Sequence, residues 1–354
     1  MKTKPMTKFA ILALSLVLVA CAGGGSEEAG CPAIDGREIN VVATTPMIGE
    51  FVSQVGGEKI NLTVLMPPEA NPHTYEPAPQ DAGTIAEADL VFYTGLLYEP
   101  AALVKLLENS ACSTDILSEV GESVFPIEFK EGGHDDHDDH DDHDDEEGHD
   151  DEEGHDDHDD EEGHDDEEGH DDHEGHNHGA YDPHFWFDPS RVAYAAEYIE
   201  SRLIEFDPEN ESSYKSSADS FVSELNDLTK QVSELISTVP SQNRKLITTH
   251  ESLGYLEAKF GLEVLSTIIP SLNSANEISP SDLAGVIDVI EDNNVKVIFI
   301  ESEAPSVYSE TIVAETGIKS VTGLYVETLK PGQSYSEFLI SNVTLITENL
   351  QDTD

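Results

Sequence analysis

Short apolar runs alternate with helical periodicity along most of the chain. Ile39-Asn40-Val41-Val42-Ala43-Thr44 reads as a buried strand, and Pro46 to Val55 as a helix stopped by Gly56-Gly57. Ile60 to Met66 is a second strand, Ala82 to Ala88 a short helix, and Leu90-Val91-Phe92-Tyr93 a third strand ended by Gly95. Pro100 to Asn109 is another helix. The second half repeats the theme. Lys245 to Thr249 and Lys296-Val297-Ile298-Phe299-Ile300 read as strands. Ser252 to Phe260, a segment opened by Ser279-Pro280, and Val307 to Thr316 read as helices, the first and last stopped by Gly261 and Gly317. Such alternation implies parallel sheets with helices on their faces.

The two halves are joined by helical sequence. Ser190 to Phe206 forms one segment, and Asp207-Pro208 opens a longer one running to about Val239. Phe221, Leu225, Leu228, Val232, Leu235 and Ile236 recur there at helical spacing. About 30 helical residues rise on the order of 45 Å, enough to run beside both halves and join them stiffly.

The N-terminus is of another kind. Lys2, Lys4 and Lys8 precede an apolar run from Phe9 to Ala20, the pattern of a secretory signal too short for a stable span. Leu18-Val19-Ala20-Cys21 resembles a bacterial lipobox, which makes Cys21 the expected lipidation site and Ala22 to Gly30 a flexible tether. The plainer alternative is a cleaved signal with an incidental cysteine. Cys31 and Cys112 remain, in an oxidising compartment either a disulfide or two free thiols.

Composition adds a second outlier. Between Lys130 and Tyr181 runs a repeat of units such as Gly148-His149-Asp150-Asp151-Glu152-Glu153, with no apolar residue to nucleate a core, so disorder is expected. Its His134 to His178 stretch holds 27 acids and no Lys or Arg, out of a chain total of −57. Outside that stretch and the leader the balance is still about −33. Acidity of this order argues against nucleic-acid binding, suits attraction of cations, and serves solubility equally well.

Of 15 histidines, twelve lie in the repeat: His134, His137, His140, His143, His149, His155, His158, His164, His170, His173, His176 and His178. These are auxiliary, individually weak metal-site candidates, because a disordered chain must order itself around each ion. Only His73, His184 and His250 lie elsewhere. His73 sits in Asn71-Pro72-His73-Thr74-Tyr75-Glu76-Pro77, His184 in Asp182-Pro183-His184-Phe185-Trp186-Phe187-Asp188-Pro189, and His250 in Thr248-Thr249-His250-Glu251-Ser252. His73 and His250 follow predicted strands, where open α/β sheets bind ligands. A lone loop histidine is usually a surface or hydrogen-bonding residue. Three at strand ends or in Pro-bracketed loops, with a carboxylate, make a closed tetrahedral zinc site.

On these blocks, together with Val41-Val42-Ala43-Thr44-Thr45-Pro46, Ala88-Asp89-Leu90-Val91-Phe92-Tyr93, Thr249-His250-Glu251-Ser252-Leu253-Gly254-Tyr255 and Ile298-Phe299-Ile300-Glu301, the chain resembles the zinc/manganese family of solute-binding lipoproteins of bacterial ABC importers. The resemblance implies an α/β fold of two lobes, each a parallel sheet flanked by helices, joined by one long rigid helix, with metal at the lobe interface. It implies a signal peptide at 1–20, a lipidated tether at 21–36 and an N-terminal lobe at 37–189 containing the 131–180 loop. A helical linker at 190–239 and a C-terminal lobe at 240–354 follow. His73 and His184 match the family's first two ligands. The third position, His250 here, is His in zinc proteins and usually Glu in manganese proteins, so Zn(II) is favoured. The fourth ligand is a carboxylate after the last strand. Glu327 in Leu324-Tyr325-Val326-Glu327-Thr328-Leu329 is the best match, where many members have Asp; Glu301 competes and Glu303 is more remote. Asp182, Asp188 and Glu251 are candidates to fix the imidazole tautomers.

The implied role is to capture zinc outside the cytoplasmic membrane and deliver it to an ABC permease and its ATPase. The expected protein is a lipid-anchored monomer on the outer face of the cytoplasmic membrane or in the periplasm, with no enzymatic activity. The repeat, ending just before His184, is expected to gather zinc near the site. Alternatives are manganese or iron transport by the same fold, and a surface zinc store or adhesin. A metallohydrolase would need an open coordination position, and no nucleophile motif such as G-x-S-x-G stands in the sequence.

Overall fold

The computed structural model describes residues 31, 34, 36–129, 181–269, 279–302 and 307–351. The signal segment, Cys21, the Ala22 to Gly30 stretch, the twelve repeat histidines and Glu303 lie outside them.

Two parallel four-stranded sheets organise the chain. In the first, β1 (Ile39–Ala43), β2 (Ile60–Val64), β3 (Leu90–Tyr93) and β4 (Leu117–Glu119) lie in the order β2-β1-β3-β4. The second repeats it as β6-β5-β7-β8, from β5 (Lys245–Thr248), β6 (Glu263–Thr267), β7 (Val297–Glu301) and β8 (Lys319–Leu324). Each sheet therefore reverses its winding beside its first strand, and a crevice opens there at the strands' carboxyl ends.

Helices cover the faces. They are α1 (Pro46–Gly56), α2 (Pro79–Ala86), α3 (Ala101–Ser110), α4 (Pro189–Phe206), α5 (Glu211–Ser237), α6 (Gly254–Phe260), α7 (Pro280–Asp292), α8 (Val307–Thr316) and α9 (Tyr335–Gln351). Local chemistry sets their starts. The Thr45 side chain accepts the Ile48 N–H at 3.2 Å with Pro46 in the first turn, so α1 begins at once after β1. α2 begins at Pro79, three residues before the predicted start, because Pro79 suits the first turn and the Asp81 carboxylate accepts the Ala78 N–H at 2.7 Å. The long helical sequence breaks at Asp207, where a 3-10 turn, Pro208–Asn210, precedes α5. The 27 residues of α5 rise about 40 Å. Its buried face is Tyr214, Ala218, Phe221, Leu225, Leu228, Val232 and Ile236, while Leu235 is only partly covered. Strands β4, β6 and β8 and helix α9 lie outside the elements predicted from the sequence.

One apolar core runs through both halves, from Val41 and Phe51 through Trp186, Phe221 and Leu246 to Phe299, Phe338 and Leu350. Buried polar tips stitch it across. The Trp186 indole donates to Val326 O at 2.8 Å, Tyr335 Oη to Trp186 O at 2.7 Å, and Tyr255 Oη to Asp182 O at 2.9 Å. Cys31 and Cys112 are joined by a disulfide. No helix among the described residues is long and apolar enough to cross a membrane.

Candidate metal centre

Four side chains meet where the two crevices face each other. His73 lies on a short 3-10 turn, Pro72–Thr74, after β2; the Asn71 side chain accepts its backbone N–H at 2.9 Å. His184 precedes the turn Phe185–Phe187 that leads into α4. His250 follows β5 by two residues, and Glu327 follows β8 by three. All but His73 are buried, and the His73 side chain is only 10% exposed.

The rings converge on one atom. Glu327 Oε1 lies 3.0 Å from His73 Nε2, 3.4 Å from His184 Nε2 and 2.7 Å from His250 Nε2. The four potential ligand atoms all lie within 4.8 Å of one another. A tetrahedron with zinc bonds of 2.0–2.1 Å has edges of roughly 3.4 Å, so a modest contraction would close it. His250 Nε2 is buried, 2.7 Å from Glu327 Oε1, and is the ring nitrogen that faces the cluster.

Carboxylates on the far side of two rings set their orientation. Asp182 Oδ1 accepts both the backbone N–H of His184, at 2.8 Å, and its ring Nδ1, at 2.7 Å. The Glu301 carboxylate is bonded to His250 Nδ1 and accepts the His250 backbone N–H at 3.2 Å. Both rings are thereby held with Nε2 toward Glu327. Glu301, the rival for the fourth ligand position, lies on the Nδ1 side of His250. Asp188, a candidate partner for a ring, instead caps α4 through the Ser190 N–H at 2.9 Å. Glu251 lines a cavity of about 500 Å³ beside Asp182 and Gly254.

The electrostatics favour a cation. Burial opposes a charged His184 ring, but Glu327 and Asp182 outweigh it and push its pKa up to about 9. Burial likewise opposes a charged His250, and Glu301 and Glu327 raise it well above the usual imidazole value. Burial works against the Glu327 carboxylate, yet His73 and His184 hold it well below the usual carboxylate range. Three buried carboxylates around the rings thus demand positive charge, which protons supply when no metal does.

Two residues with no signal of their own in the sequence complete the surround. The Tyr98 Oη lies 2.8 Å from Glu327 Oε2 and 3.1 Å from Glu327 O, so the oxygen turned away from the rings is engaged. Glu99 is buried and accepts Thr44 Oγ1 at 2.7 Å, the Thr94 N–H at 2.6 Å and the Gly95 N–H at 2.9 Å. Burial raises its pKa, and these donors hold it back only in part.

A buried cluster of three imidazoles and one carboxylate between two α/β sheets makes a candidate metal-binding site. The chain belongs to the ZnuA family, zinc-uptake complex component A, periplasmic, which matches residues 41–349. It is therefore a metal-binding component of an ABC importer, not an enzyme, and its partners are that importer's permease and ATPase. It is 26% identical to the manganese ABC transporter substrate-binding lipoprotein PsaA of Streptococcus anginosus, over 98% of this chain and 99% of that one. It is 27% identical to the high-affinity zinc uptake system protein ZnuA of Bacillus subtilis (strain 168), over 97% and 96%. The periplasmic zinc-binding protein TroA from Treponema pallidum shares the fold at a TM-score of 0.69 and 20% identity, covering 88% of this chain and 99% of that structure.

Proposed function

We propose that the protein captures Zn(II) outside the cytoplasmic membrane through His73, His184, His250 and Glu327 and delivers it to the permease. The observation that carries this reading is the convergence of three Nε2 atoms on one carboxylate oxygen. Imidazole-rich, four-donor sites suit zinc; oxygen-rich, six-donor sites suit manganese. The division into lobes at 37–189 and 240–354 with the 190–239 linker, the lipid anchor at Cys21 and zinc gathering by the 131–180 segment belong to the same proposal.

Manganese is the second reading, favoured by the names of relatives such as the PsaA lipoprotein. Competition decides between them. Metal-free protein titrated with zinc and manganese should bind one equivalent of zinc in preference, and tight binding of manganese over zinc would sink the zinc reading. Growth of a deletion strain at limiting zinc separates transport from a surface store or adhesin: normal uptake would support the store.

A further inference from the structure

The turn that carries Tyr98 into the site is built against backbone preference. Gly95, Leu96 and Leu97 are three consecutive left-handed residues, at φ 77°, 53° and 60°. The turn closes through the Tyr98 N–H, which donates to Gly95 O at 2.9 Å. Positive φ at both central positions normally selects Gly, Asn or Asp. Leucine has no polar group to favour that conformation, and Leu97 is 68% exposed, so burial does not offset it either.

Two carboxylates hold the turn instead. The N–H groups of Thr94 and Gly95 donate to Glu99, and that of Leu96 donates to Glu119 Oε1 at 2.9 Å. Glu99 is tied to the carboxyl end of β1 through Thr44, and Glu119 to β3 through Tyr93 Oη at 3.2 Å. Three successive amides thus point into carboxylates that are themselves fixed to the sheet. The fit leaves no slack: a Cβ on Gly95 would lie 2.0 Å from Glu119 Oε1. The product of this arrangement is the position of one phenol, buried against Glu327 Oε2.

We propose that the Gly95–Tyr98 turn is a metal-selectivity element, in which Glu99 and Glu119 are positioning residues that hold Tyr98 against Oε2 of Glu327 and so leave that ligand one oxygen for the ion. The inference rests on the reading of His73, His184, His250 and Glu327 as the ligand set. With Oε2 engaged, the site closes at four donors, as zinc prefers. An ion that seeks a larger, oxygen-rich shell is denied the second carboxylate oxygen. Loosening the turn should return that oxygen and narrow the preference for zinc.

The test uses the full chain and its Tyr98→Phe, Glu99→Gln, Glu119→Gln and Tyr98→Phe/Glu99→Gln variants. Zinc and manganese affinities are measured by chelator competition, and the zinc-loaded proteins by X-ray absorption. Tyr98→Phe and Glu99→Gln should each reduce the zinc-over-manganese ratio by about tenfold. The double variant should change it no more than Tyr98→Phe alone, and a further oxygen should join the zinc shell. Glu119→Gln removes a less buried carboxylate, and it should shift the ratio the same way if Glu99→Gln does not fold. A ratio equal to wild type in the folded positioning variants, with only thermal stability lowered, overturns the inference while leaving the ligand reading intact. Additive effects in the double variant overturn it as well. A wild-type chain that binds neither ion overturns the ligand reading and the inference together.

Discussion

Glu301→Gln separates a ring-orienting carboxylate from a ligand. In the structure Glu301 is buried and bonded to His250 Nδ1, and it takes the His250 backbone N–H at 3.2 Å. Its own N–H donates to Thr249 Oγ1 at 3.0 Å, which fixes the end of β7. A glutamine keeps the shape but carries no charge, and its amide NH₂ must face a donor on one side. His250 Nε2 then becomes a poorer electron donor and the ring is held less firmly. Loss of a group in this position typically costs 10- to 100-fold in metal affinity, or about 1.4–2.7 kcal/mol. Chelator-competition titration of the folded variant should therefore show zinc binding weakened by that factor with one equivalent still bound. Glu327→Gln, which removes the oxygen facing all three rings, should cost more. If Glu301→Gln abolishes equimolar binding while Glu327→Gln retains it, the roles assigned to the two carboxylates are reversed.

Acidity should act on the empty and the loaded protein in opposite senses. The folded pKa of His184, about 9, lies above the ordinary 6.5, so its charged ring stabilises the metal-free fold below pH 6.5 and loses that effect as pH rises through 9. Glu327, held low, contributes above the ordinary carboxylate value and loses its effect only as pH falls through its depressed value. The metal-free Tm should thus decline from pH 6.5 to 9 while the Tm increment on adding zinc grows, since zinc must displace ring protons; an increment that shrinks with rising pH contradicts the site. Excising 134–178 should lower total zinc bound but keep the tight equivalent, because the flanks meet at the Glu128–Tyr181 bridge and can be rejoined; unchanged stoichiometry and growth at limiting zinc would remove the scavenging role. Trp186 lies 5.4 Å from the His184 ring, and zinc should alter its emission in wild type but not in His184→Ala. Cys112→Ser opens a loop spanning 81 residues and should cost roughly 2–4 kcal/mol in denaturant unfolding; an unchanged midpoint would show that the disulfide constrains little.

Legibility in the sequence followed burial for the interior strands, while the open edge strand β2 was read from its Ile, Leu, Thr and Val content. The interior strands β1, β3, β5 and β7 are covered on both faces and read as nearly continuous apolar runs. The edge strands β4, β6 and β8 carry Ser, Thr, Glu and Lys on open faces, and Lys319-Ser320-Val321-Thr322-Gly323-Leu324 has no pattern to separate it from a loop. Helix α9 is different: Tyr335, Phe338, Leu339, Asn342, Val343, Ile346 and Leu350 make a regular buried stripe, so the signal was present. The three histidines stood out because few histidines lie outside the repeat, and the structure brings them together. Glu327 is preferred over Glu301 on the family resemblance alone, because Glu301 ends one strand and Glu327 follows another; which side of His250 each occupies depends on the packing of β7 against β8. Tyr98 and Glu99 left no trace, since their role comes from a turn whose leucines contradict its conformation.

The main core shared by both sheets extends the reach of a bound ion beyond its own pocket. Because the strands on either side of the site share that core, ligand binding there raises the free energy of every opening that breaks the site. Each tenfold excess of ion over Kd adds about 1.4 kcal/mol. Protease attack on a transiently opened chain slows about tenfold for each such increment when opening and closing are fast. Loaded molecules would then outlive empty ones. The abundance of the protein would follow metal supply without any change in its synthesis.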